Sequence, residues 1–471
     1  MTVTPAGGSS RTAAVLLAAK RTRVVPVKVT DENAALLLQQ QKAAKGAGSA
    51  TGLEAAWAPA QRVRPTRPTP QYARTMPGCD VVIVGGCGHV GLPLGVALAI
   101  ENLRVVVYDI NSQAVEAVKS GTLPFDEPGC EERLAAVLAS GHFQATDDPG
   151  AVAGAEYVVL VIGTPVDDHL NPDFQAVPGA LNNLMPYLHS GQTLVLRSTI
   201  YPGMTRFVEE ILSDARLDVD VAFCPERIAE GRAMEELYSL PQIVSARKPS
   251  TVAKARKLFE HLAPVIVETS PEEAELAKLF TNAWRYIKFA AANQFYMIAN
   301  DFGVDFEHVR QAITFEYPRA ADMPAAGFAA GPCLLKDTMQ LAAFNNNNFV
   351  LGHASMLVNE GLPLYIVARL ENEQDLRSMT VGILGMAFKA DSGDIRSSLS
   401  YKLQRLLRYK AKSVLCNDPY VTTDEELLPL AEVVERSDLL IIGAPHKDYR
   451  NLTTQKPVVD IWNHLGNGAR V

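Results

Sequence analysis

A glycine-rich loop, Gly86-Cys-Gly-His-Val-Gly91, lies between a short β-branched run at 81–84 and an apolar stretch that begins at Leu92. In such a strand–loop–helix unit, Gly86 permits the tight turn and Gly88 lets the backbone approach a pyrophosphate, while Gly91 allows close helix packing. The N-terminus of the helix then offers N–H groups and partial positive charge. The pattern predicts a doubly wound α/β domain that binds a dinucleotide, and a glycine-rich turn without a cofactor is the alternative.

An acidic residue indicates which dinucleotide is bound. Asp109 follows Gly91 by 18 residues and ends a second predicted strand at 104–108. A carboxylate there accepts hydrogen bonds from a ribose 2′-OH and repels a 2′-phosphate. The sequence therefore predicts NAD as the cofactor, and we expect His89 and Val90 of the loop to contact it too.

The last hundred residues repeat the pattern of predicted strands found in residues 82–165. The segments 381–385, 414–418 and 438–445 parallel the segments 82–86, 106–109 and 157–165. Between the two regions, Ser270-Pro-Glu-Glu273 combines a cap, a proline and first-turn acids, which predicts a long helix that could run to Gly303. We expect two Rossmann-like doubly wound α/β domains, joined by this helix and a helical dimerisation region. The predicted divisions are 1–78, a disordered basic tail; 79–268, NAD-binding; 269–372, central and helical; and 373–471, a second Rossmann-like domain for a different phosphorylated ligand.

Charge and cysteine usage exclude several classes of function. Residues 1–78 contain eleven Lys and Arg but three Asp and Glu, a balance of +8, which leaves −16 for the remainder. An acidic body argues against nucleic-acid binding, and the tail is either a solvated segment or a basic anchor. The six cysteines form no Cys-x-x-Cys pair and the histidines no metal motif, so we expect a reducing cytoplasm and no metal site. No apolar run approaches the length of about 20 residues that spans a membrane.

The segment Gly331-Pro-Cys-Leu-Leu-Lys-Asp337 carries a candidate nucleophile. The ammonium of Lys336, three residues after Cys333, is expected to lower the thiol pKa. A thiolate can hold an aldehyde as a thiohemiacetal, which a second oxidation converts to a thioester. The pairing with a dinucleotide fold suggests a four-electron alcohol dehydrogenase. A buried cysteine acting as a small hydrophobe is the alternative, and Cys224 is the rival nucleophile.

Other polar side chains could assist that chemistry. Lys278 and Asn282 are spaced i, i+4 on the long helix, so they share a face and could stabilise an oxyanion, unless that face is solvated. Glu226 and Glu230 follow a predicted strand at 219–223, where one carboxylate could activate water; helix-capping acids are the alternative. Thr164 lies at another strand end. Lys389 and Arg396, in the first loop of the second domain, suit a phosphorylated ligand.

These stretches resemble the motifs of the UDP-glucose/GDP-mannose dehydrogenase family over residues 79–465. The matching motifs, in family order, are Gly86–Leu94, Glu127–Gly129, Gly163–Pro165, Ser198–Thr199 with Pro202–Gly203, Pro225–Gly231, Glu275–Ala283, Gly331–Asp337, and Phe388–Lys389 with Asp394–Arg396. His89 stands where the family usually has an aromatic residue, and Cys224 stands where many members have asparagine. The resemblance implies two successive NAD-dependent oxidations at C6 of a nucleotide sugar.

The resemblance also implies residue roles. It makes Cys333 the nucleophile, Lys278 and Asn282 the oxyanion donors, Asp337 a water-ordering acid and Glu226 the hydrolytic base with Thr164 nearby. Lys336 and Thr164 would also lie beside the cofactor. The residues implied to hold the sugar nucleotide are Glu230, Lys389, Arg396, Gly327, Phe328 and Arg319, the last lent across a homodimer.

The segment 327–333 is similar to enzymes that act on UDP-N-acetylhexosamines, UDP-N-acetylmannosamine in particular. We therefore expect a UDP-sugar 6-dehydrogenase for polysaccharide biosynthesis. A UDP-glucose or GDP-mannose dehydrogenase, a two-electron hydroxyacid-type dehydrogenase and a non-catalytic nucleotide-sugar sensor are the alternatives.

Overall fold

The computed structural model describes residues 78–167 and 170–471, so the predicted basic tail lies outside the described residues except for Gly78. The first region contains an eight-stranded sheet of order β3-β2-β1-β4-β5-β6-β7-β8. All neighbouring strands run parallel except β6 and β7, which are antiparallel. The strands are β1 (Cys79–Val84), β2 (Val105–Tyr108), β3 (Phe143–Thr146), β4 (Ala155–Leu160), β5 (Thr193–Leu196), β6 (Asp220–Phe223), β7 (Gln242–Ala246) and β8 (Ile266–Thr269).

Helices cover the two faces of this sheet. They are α1 (Gly91–Ile100), α2 (Ser112–Lys119), α3 (Glu131–Ser140), α4 (Ala176–Leu184), α5 (Met204–Asp214), α6 (Ala233–Ser239) and α7 (Pro249–Phe259). The sequence also predicts strands at 157–162 and 193–196. These two and the strands predicted at 81–84, 104–108 and 219–223 all form, with ends within two residues of those predicted. Strands β3, β7 and β8 were missed. β8 is an edge strand that is only partly buried, so it lacks the continuous apolar run that identifies buried parallel strands.

The glycine loop between β1 and α1 is as tight as predicted. A Cβ atom on Gly86 would lie 2.5 Å from Cβ of Val107 on β2, and one on Gly91 would lie 2.6 Å from the Gly85 carbonyl oxygen. No side chain fits at either position. The first turn of α1 is thereby held directly against the carboxyl end of β1.

A long helix, α8 (Pro271–Asp301), leaves the first region. Ser270 and Glu273 form a capping box at its start, and Gly303 follows its end at φ 80°. Helices α9 (Phe306–Thr314), α10 (Leu334–Phe344) and α11 (Val350–Glu373) follow, and α10 and α11 pack along α8. Glu275 of α8 accepts hydrogen bonds from Gly203 and Thr205 at the start of α5, which ties the long helix to the first sheet.

A second parallel sheet ends the chain, as the internal repeat predicts. Its order is β10-β9-β11-β12, with β9 (Thr380–Leu384), β10 (Ser413–Asn417), β11 (Leu439–Ile442) and β12 (Val458–Val459). Helices α12 (Leu399–Lys410) and α13 (Leu430–Arg436) pack against it. The α/β class with two Rossmann-like sheets and a connecting helix is therefore confirmed. Among the described residues, no helix is both long enough and apolar enough to cross a membrane.

Candidate active site

The glycine loop and Asp109 form one unit at the carboxyl end of the first sheet. The carboxylate of Asp109 accepts hydrogen bonds from the backbone N–H of Cys87 at 3.1 Å and of Asn111 at 3.0 Å, and it remains partly exposed. The outer side of the loop is open, since a Cβ on Gly88 would have its nearest neighbour at 3.7 Å. An open loop, a helix N-terminus and a free carboxylate face fit the pyrophosphate and ribose of NAD.

Cys333 lies at the N-cap of α10 and is exposed, so it is not a buried hydrophobe. One turn later, the fully buried Asp337 accepts a hydrogen bond of 2.5 Å from Nδ2 of Asn282 on α8. The burial of Asn282 shows that its face of the long helix is not solvated. The second oxygen of Asp337, Oδ1, lies 3.0 Å from the Lys336 ammonium. The capping region of α10 is thus joined to α8 by an amide–carboxylate–ammonium chain.

The ammonium of Lys336 does not produce the lowered thiol pKa expected from the sequence. Although part of the Cys333 surface is exposed, desolvation by the atoms packed around the residue and the Asp337 carboxylate together raise the pKa of Cys333, and Lys336, Lys278 and Arg396 each lower it by less. Lys336 instead donates to the carbonyl and hydroxyl oxygens of Thr164, both at 3.2 Å. The ammonium of Lys336 therefore interacts with Asp337 and Thr164, and it stabilises the Cys333 thiolate less.

Glu226 occupies a buried ion pair. Its Oε2 accepts from Arg197, whose side chain is fully buried, and its Oε1 accepts from the backbone N–H groups of Arg227 and Ile228. The guanidinium of Arg197 also donates to Gln242 Oε1 at 3.0 Å. Both carboxylate oxygens of Glu226 are hydrogen-bonded within the chain, so in this arrangement the residue holds the loop after β6.

Glu230, four residues later, lies in a different environment. It forms a polar cluster with His89 of the glycine loop and with Asp394 and Arg396 of the loop after β9. The carbonyl oxygen of Glu230 also accepts a hydrogen bond from Lys389. Burial and the nearby Asp394 carboxylate raise the pKa of Glu230 to about 7. Burial and the charge of Arg396 lower the pKa of His89 to about 4, so this imidazole is neutral near pH 7.

Three side chains that could bind a metal ion meet in this cluster. Their spacing in the sequence did not indicate that they lie together. One ligand atom each of His89, Glu230 and Asp394 lies within 4.8 Å of the others. Arg396 already pairs with both carboxylates: it lies 3.4 Å from Glu230 Oε2, and it donates to both Oδ1 and Oδ2 of Asp394. The carboxylate charge is therefore balanced by a guanidinium, and the set suits ion pairing better than metal coordination.

The segment before Cys333 packs its glycines against aromatic rings of the second sheet region. A Cβ on Gly327, at φ 153°, would lie 2.1 Å from the Trp462 ring, and one on Gly331 would lie 2.6 Å from the Phe388 ring. The side chain of Phe328 is buried edge-on against Trp462, and its contact with a substrate stays a prediction. Close glycine–aromatic contact fixes the position of the Cys333 loop relative to Lys389.

Arg319 is not part of this constellation within the chain. It lies in an exposed turn, and its guanidinium stacks over Tyr317 with 5.2 Å to the ring centroid. Its predicted role needs a second chain and stays a prediction.

Sequence reasoning missed several supporting residues. Arg197 neutralises Glu226, and Glu127 accepts hydrogen bonds of 2.8 Å from the backbone N–H groups of Gly231 and Ala233, which fixes the Glu230 loop. The Glu127-Pro-Gly motif was recognised without a role. Asp418, directly after β10, repeats the position of Asp109 after β2, as the internal repeat indicates, but its hydrogen-bonding role was not predicted.

A dinucleotide loop with a ribose-binding acid, a cysteine at a helix start and a second nucleotide-type sheet define an NAD-dependent dehydrogenase. Comparison with known families assigns the class further. The chain belongs to the UDP-glucose/GDP-mannose dehydrogenase family: models of its NAD binding domain, central domain and UDP binding domain match residues 80–263, 272–360 and 382–467. The protein is an NAD-dependent nucleotide-sugar dehydrogenase.

Curated relatives and solved structures agree with this family. The chain is 28% identical over 402 residues to UDP-N-acetyl-D-mannosamine dehydrogenase of Pyrococcus horikoshii, covering 83% of this chain and 93% of the relative. It is 26% identical to NDP-N-acetyl-D-galactosaminuronic acid dehydrogenase of Ralstonia nicotianae, covering 80% and 93%. The structure of UDP-glucose dehydrogenase from Pyrobaculum islandicum superposes with a TM-score of 0.76 at 26% identity, covering 82% and 95%. The P. horikoshii UDP-D-ManNAc dehydrogenase structure gives a TM-score of 0.75 at 26% identity, covering 83% and 93%.

Proposed function

We propose that the protein oxidises the C6 hydroxyl of a UDP-sugar, UDP-N-acetyl-D-mannosamine, to the uronic acid for polysaccharide biosynthesis. The observation that carries the proposal is the exposed thiol of Cys333 at the start of α10, beside the buried Asn282–Asp337 pair. A two-electron alcohol dehydrogenase needs no such nucleophile. A thiol placed next to an oxyanion-stabilising amide is what a second oxidation, from aldehyde to acid, requires.

NAD, held by the glycine loop and Asp109, would supply the electron acceptor for both oxidations. In this proposal Cys333 adds to the C6 aldehyde, and Lys278 with Asn282 stabilises the oxygen as it gains negative charge. The thioester formed on Cys333 by the second oxidation is cleaved by water. Asp337, whose Oδ1 accepts no hydrogen bond apart from its ion pair with Lys336, is available to orient that water.

The two glutamates of the segment 225–231 take different roles in the proposal. Glu226 is paired with Arg197 and hydrogen-bonded on both oxygens. In the proposal Glu226 therefore acts by holding the loop after β6. Glu230, Lys389 and Arg396 bind the nucleotide sugar. The backbone of Gly327 forms part of the wall of that binding site.

The choice of sugar rests on the relatives. Several of those found are named UDP-N-acetyl-D-mannosamine dehydrogenases, and two are named NDP-N-acetyl-D-galactosaminuronic acid dehydrogenases. A solved neighbour is named a UDP-glucose dehydrogenase, so UDP-glucose is the second candidate. The test is kcat/KM for purified protein with NAD and, separately, UDP-N-acetylmannosamine, UDP-N-acetylgalactosamine, UDP-glucose and GDP-mannose. We expect the first to exceed the others by at least about tenfold, equivalent to about 1.4 kcal/mol; a UDP-glucose preference would reassign the sugar.

A homodimer is part of the proposal. The large apolar side chains exposed on α8 are Phe280, Trp284, Phe295 and Ile298, and Phe302 follows at its C-cap. At 3.6 residues per turn these five lie within about 60° of one another around the helix. Exposed apolar side chains aligned on one face of a helix suit burial against a second copy. Trp284→Glu should give a monomer in light scattering, whereas Arg285→Glu, at an exposed position about 100° away around the same helix, should not; a dimeric Trp284→Glu variant would exclude this interface.

The cellular location is proposed from the thiols. All six cysteines lie among the described residues and none forms a disulfide, which suits the reducing cytoplasm.

A further inference from the structure

His446 is fully buried where the loops of the second sheet meet, and no step proposed above uses it. Its Nε2 lies 2.9 Å from Oδ2 of Asp418, directly after β10. Its Nδ1 accepts a hydrogen bond of 2.8 Å from the backbone N–H of Asp391, in the loop after β9. A single imidazole from the loop after β11 therefore joins the loops that follow β9 and β10.

The protonation of His446 follows from these partners. A backbone N–H can only donate, so Nδ1 carries no hydrogen and Nε2 must carry it. The imidazole is neutral and donates to Asp418 through Nε2. The same carboxylate oxygen, Asp418 Oδ2, accepts from the backbone N–H groups of Met386 and Ala387 at 2.7 and 2.9 Å. Both ends of the segment 386–391 are thus attached to one histidine–aspartate pair.

Two residues of the loop 386–397, which contains the attached segment, have left-handed backbone. Asp391 has φ 51° and Ser397 has φ 54°, values that residues with a side chain rarely adopt. The Asp391 carboxylate also accepts from the backbone N–H of Lys447, next to His446. Farther along, a Cβ on Gly393 would lie 2.5 Å from the Tyr420 carbonyl oxygen, so the loop is pressed against the neighbouring strand end. Strained residues persist only where surrounding contacts hold them.

Lys389 and Arg396 are the cations of this loop. Lys389 lies between the two attachment points, Ala387 and Asp391, and Arg396 lies between the two strained residues, Asp391 and Ser397. We infer that His446 is a positioning residue for nucleotide-sugar binding, because its neutral imidazole holds the strained Asp391 turn and thereby the Lys389 and Arg396 side chains. The inference rests on the proposed role of these two cations in binding the UDP-sugar.

Two substitutions separate the two contacts of the ring. The amide of His446→Gln reaches the position of Nε2 and can donate to Asp418, but leaves the Asp391 N–H without its acceptor. The shorter amide of His446→Asn can place an oxygen at the position of Nδ1 and keep that acceptor. We expect His446→Gln to weaken UDP binding and raise the sugar KM about tenfold, equivalent to about 1.4 kcal/mol, with NAD KM and kcat within about twofold. His446→Asn should lose about threefold or less.

Tyr449→Phe is the matched control. Tyr449 is equally buried, and its hydroxyl bonds to Asn417, while the substitution keeps the ring that packs edge-on against His446. The measurements are UDP affinity by calorimetry, NADH affinity by fluorescence and both KM values, with unfolding followed for each variant. If Tyr449→Phe weakens UDP binding as much as His446→Gln does, the effect is loss of domain stability and the inference fails.

Calorimetry with UDP separates this inference from the proposed reaction. Wild-type protein that binds UDP yet oxidises no UDP-sugar would overturn the reaction while leaving the positioning role to be judged by the variants. UDP affinity that is unchanged in His446→Gln, or lost more in His446→Asn than in His446→Gln, would overturn the positioning role. Wild-type protein that binds no UDP would overturn both.

Discussion

Asp109 follows β2 in the first sheet and Asp418 follows β10 in the second, so the two acids hold equivalent positions beside the first loop of each sheet. Asp109 accepts two backbone N–H groups, at 3.0 and 3.1 Å, and keeps part of its carboxylate exposed. Asp418 is buried and accepts from four backbone N–H groups and from His446. Burial alone would raise the pKa of Asp418, but these hydrogen bonds and His446 leave it below its ordinary value.

The difference shows how one position in a repeated fold takes two functions. A carboxylate with unused acceptor capacity can bind a ribose hydroxyl, whereas one that is fully used by its own chain can only hold loops together. The first sheet therefore presents its acid to a ligand. The second sheet uses its acid to fix a loop, and presents the Lys389 and Arg396 side chains of that loop instead.

The largest effect we expect is on stability, and it should separate the two acids. Asp418→Asn removes a buried charge that five donors stabilise, so it should lower the free energy of unfolding by about 2–4 kcal/mol. Asp109→Asn, at a partly exposed site, should change it by less than about 1 kcal/mol. Urea unfolding of the two variants measures this, and equal losses would contradict the comparison.

The second-largest expected effect is on cofactor binding. Substitution of Asp109, and not of Asp418, should cause it. Asp109→Asn removes the charge that repels a 2′-phosphate and weakens the bond to the ribose hydroxyl. We expect the KM for NAD to rise about tenfold, since charge-assisted hydrogen bonds contribute about 1.5–3 kcal/mol. The ratio of kcat/KM for NAD to kcat/KM for NADP should fall. UDP affinity, measured by calorimetry, should stay unchanged. A variant with unaltered NAD kinetics would show that Asp109 is structural, like Asp418.

The smallest expected effect is on the pH dependence of stability. It comes from Glu230, which lies between residues of the two sheet regions. Its pKa in the folded state, about 7, is above the ordinary value of 4.5, so ionisation destabilises the folded protein. Stability of the wild type should therefore fall relative to Glu230→Gln as pH rises from about 5 to about 8. The gap in melting temperature should change by about 2–4 °C across this range. A constant gap would mean that Arg396 and Lys389 keep Glu230 ionised throughout.

Local patterns predicted much of this molecule. The glycine loop, Asp109 and the capping box at Ser270 each depend on residues close together in sequence, and each forms as predicted. The edge strand β8 was missed because it carries no continuous buried run. The α/β class with its internal repeat follows from the same short-range signals.

Pairings between distant segments could not be predicted in this way. Arg197 and Glu226 are 29 residues apart, and His446 and Asp391 are 55 apart. A sequence shows that Glu226 and Lys336 carry charge, but not that their partners neutralise it. The expected lowering of the Cys333 pKa was wrong for this reason: Asp337 and burial, which only the folded arrangement reveals, outweigh the nearby ammonium.

The number of NADH molecules formed per sugar consumed tests the central claim most directly. Purified protein would be given limiting UDP-N-acetylmannosamine and excess NAD, with Cys333→Ser in parallel. The account predicts two NADH per sugar for the wild type and loss of this complete turnover in the variant, with the uronic acid as the wild-type product. One NADH per sugar, or a Cys333→Ser variant that still yields two, would contradict the four-electron reaction at Cys333.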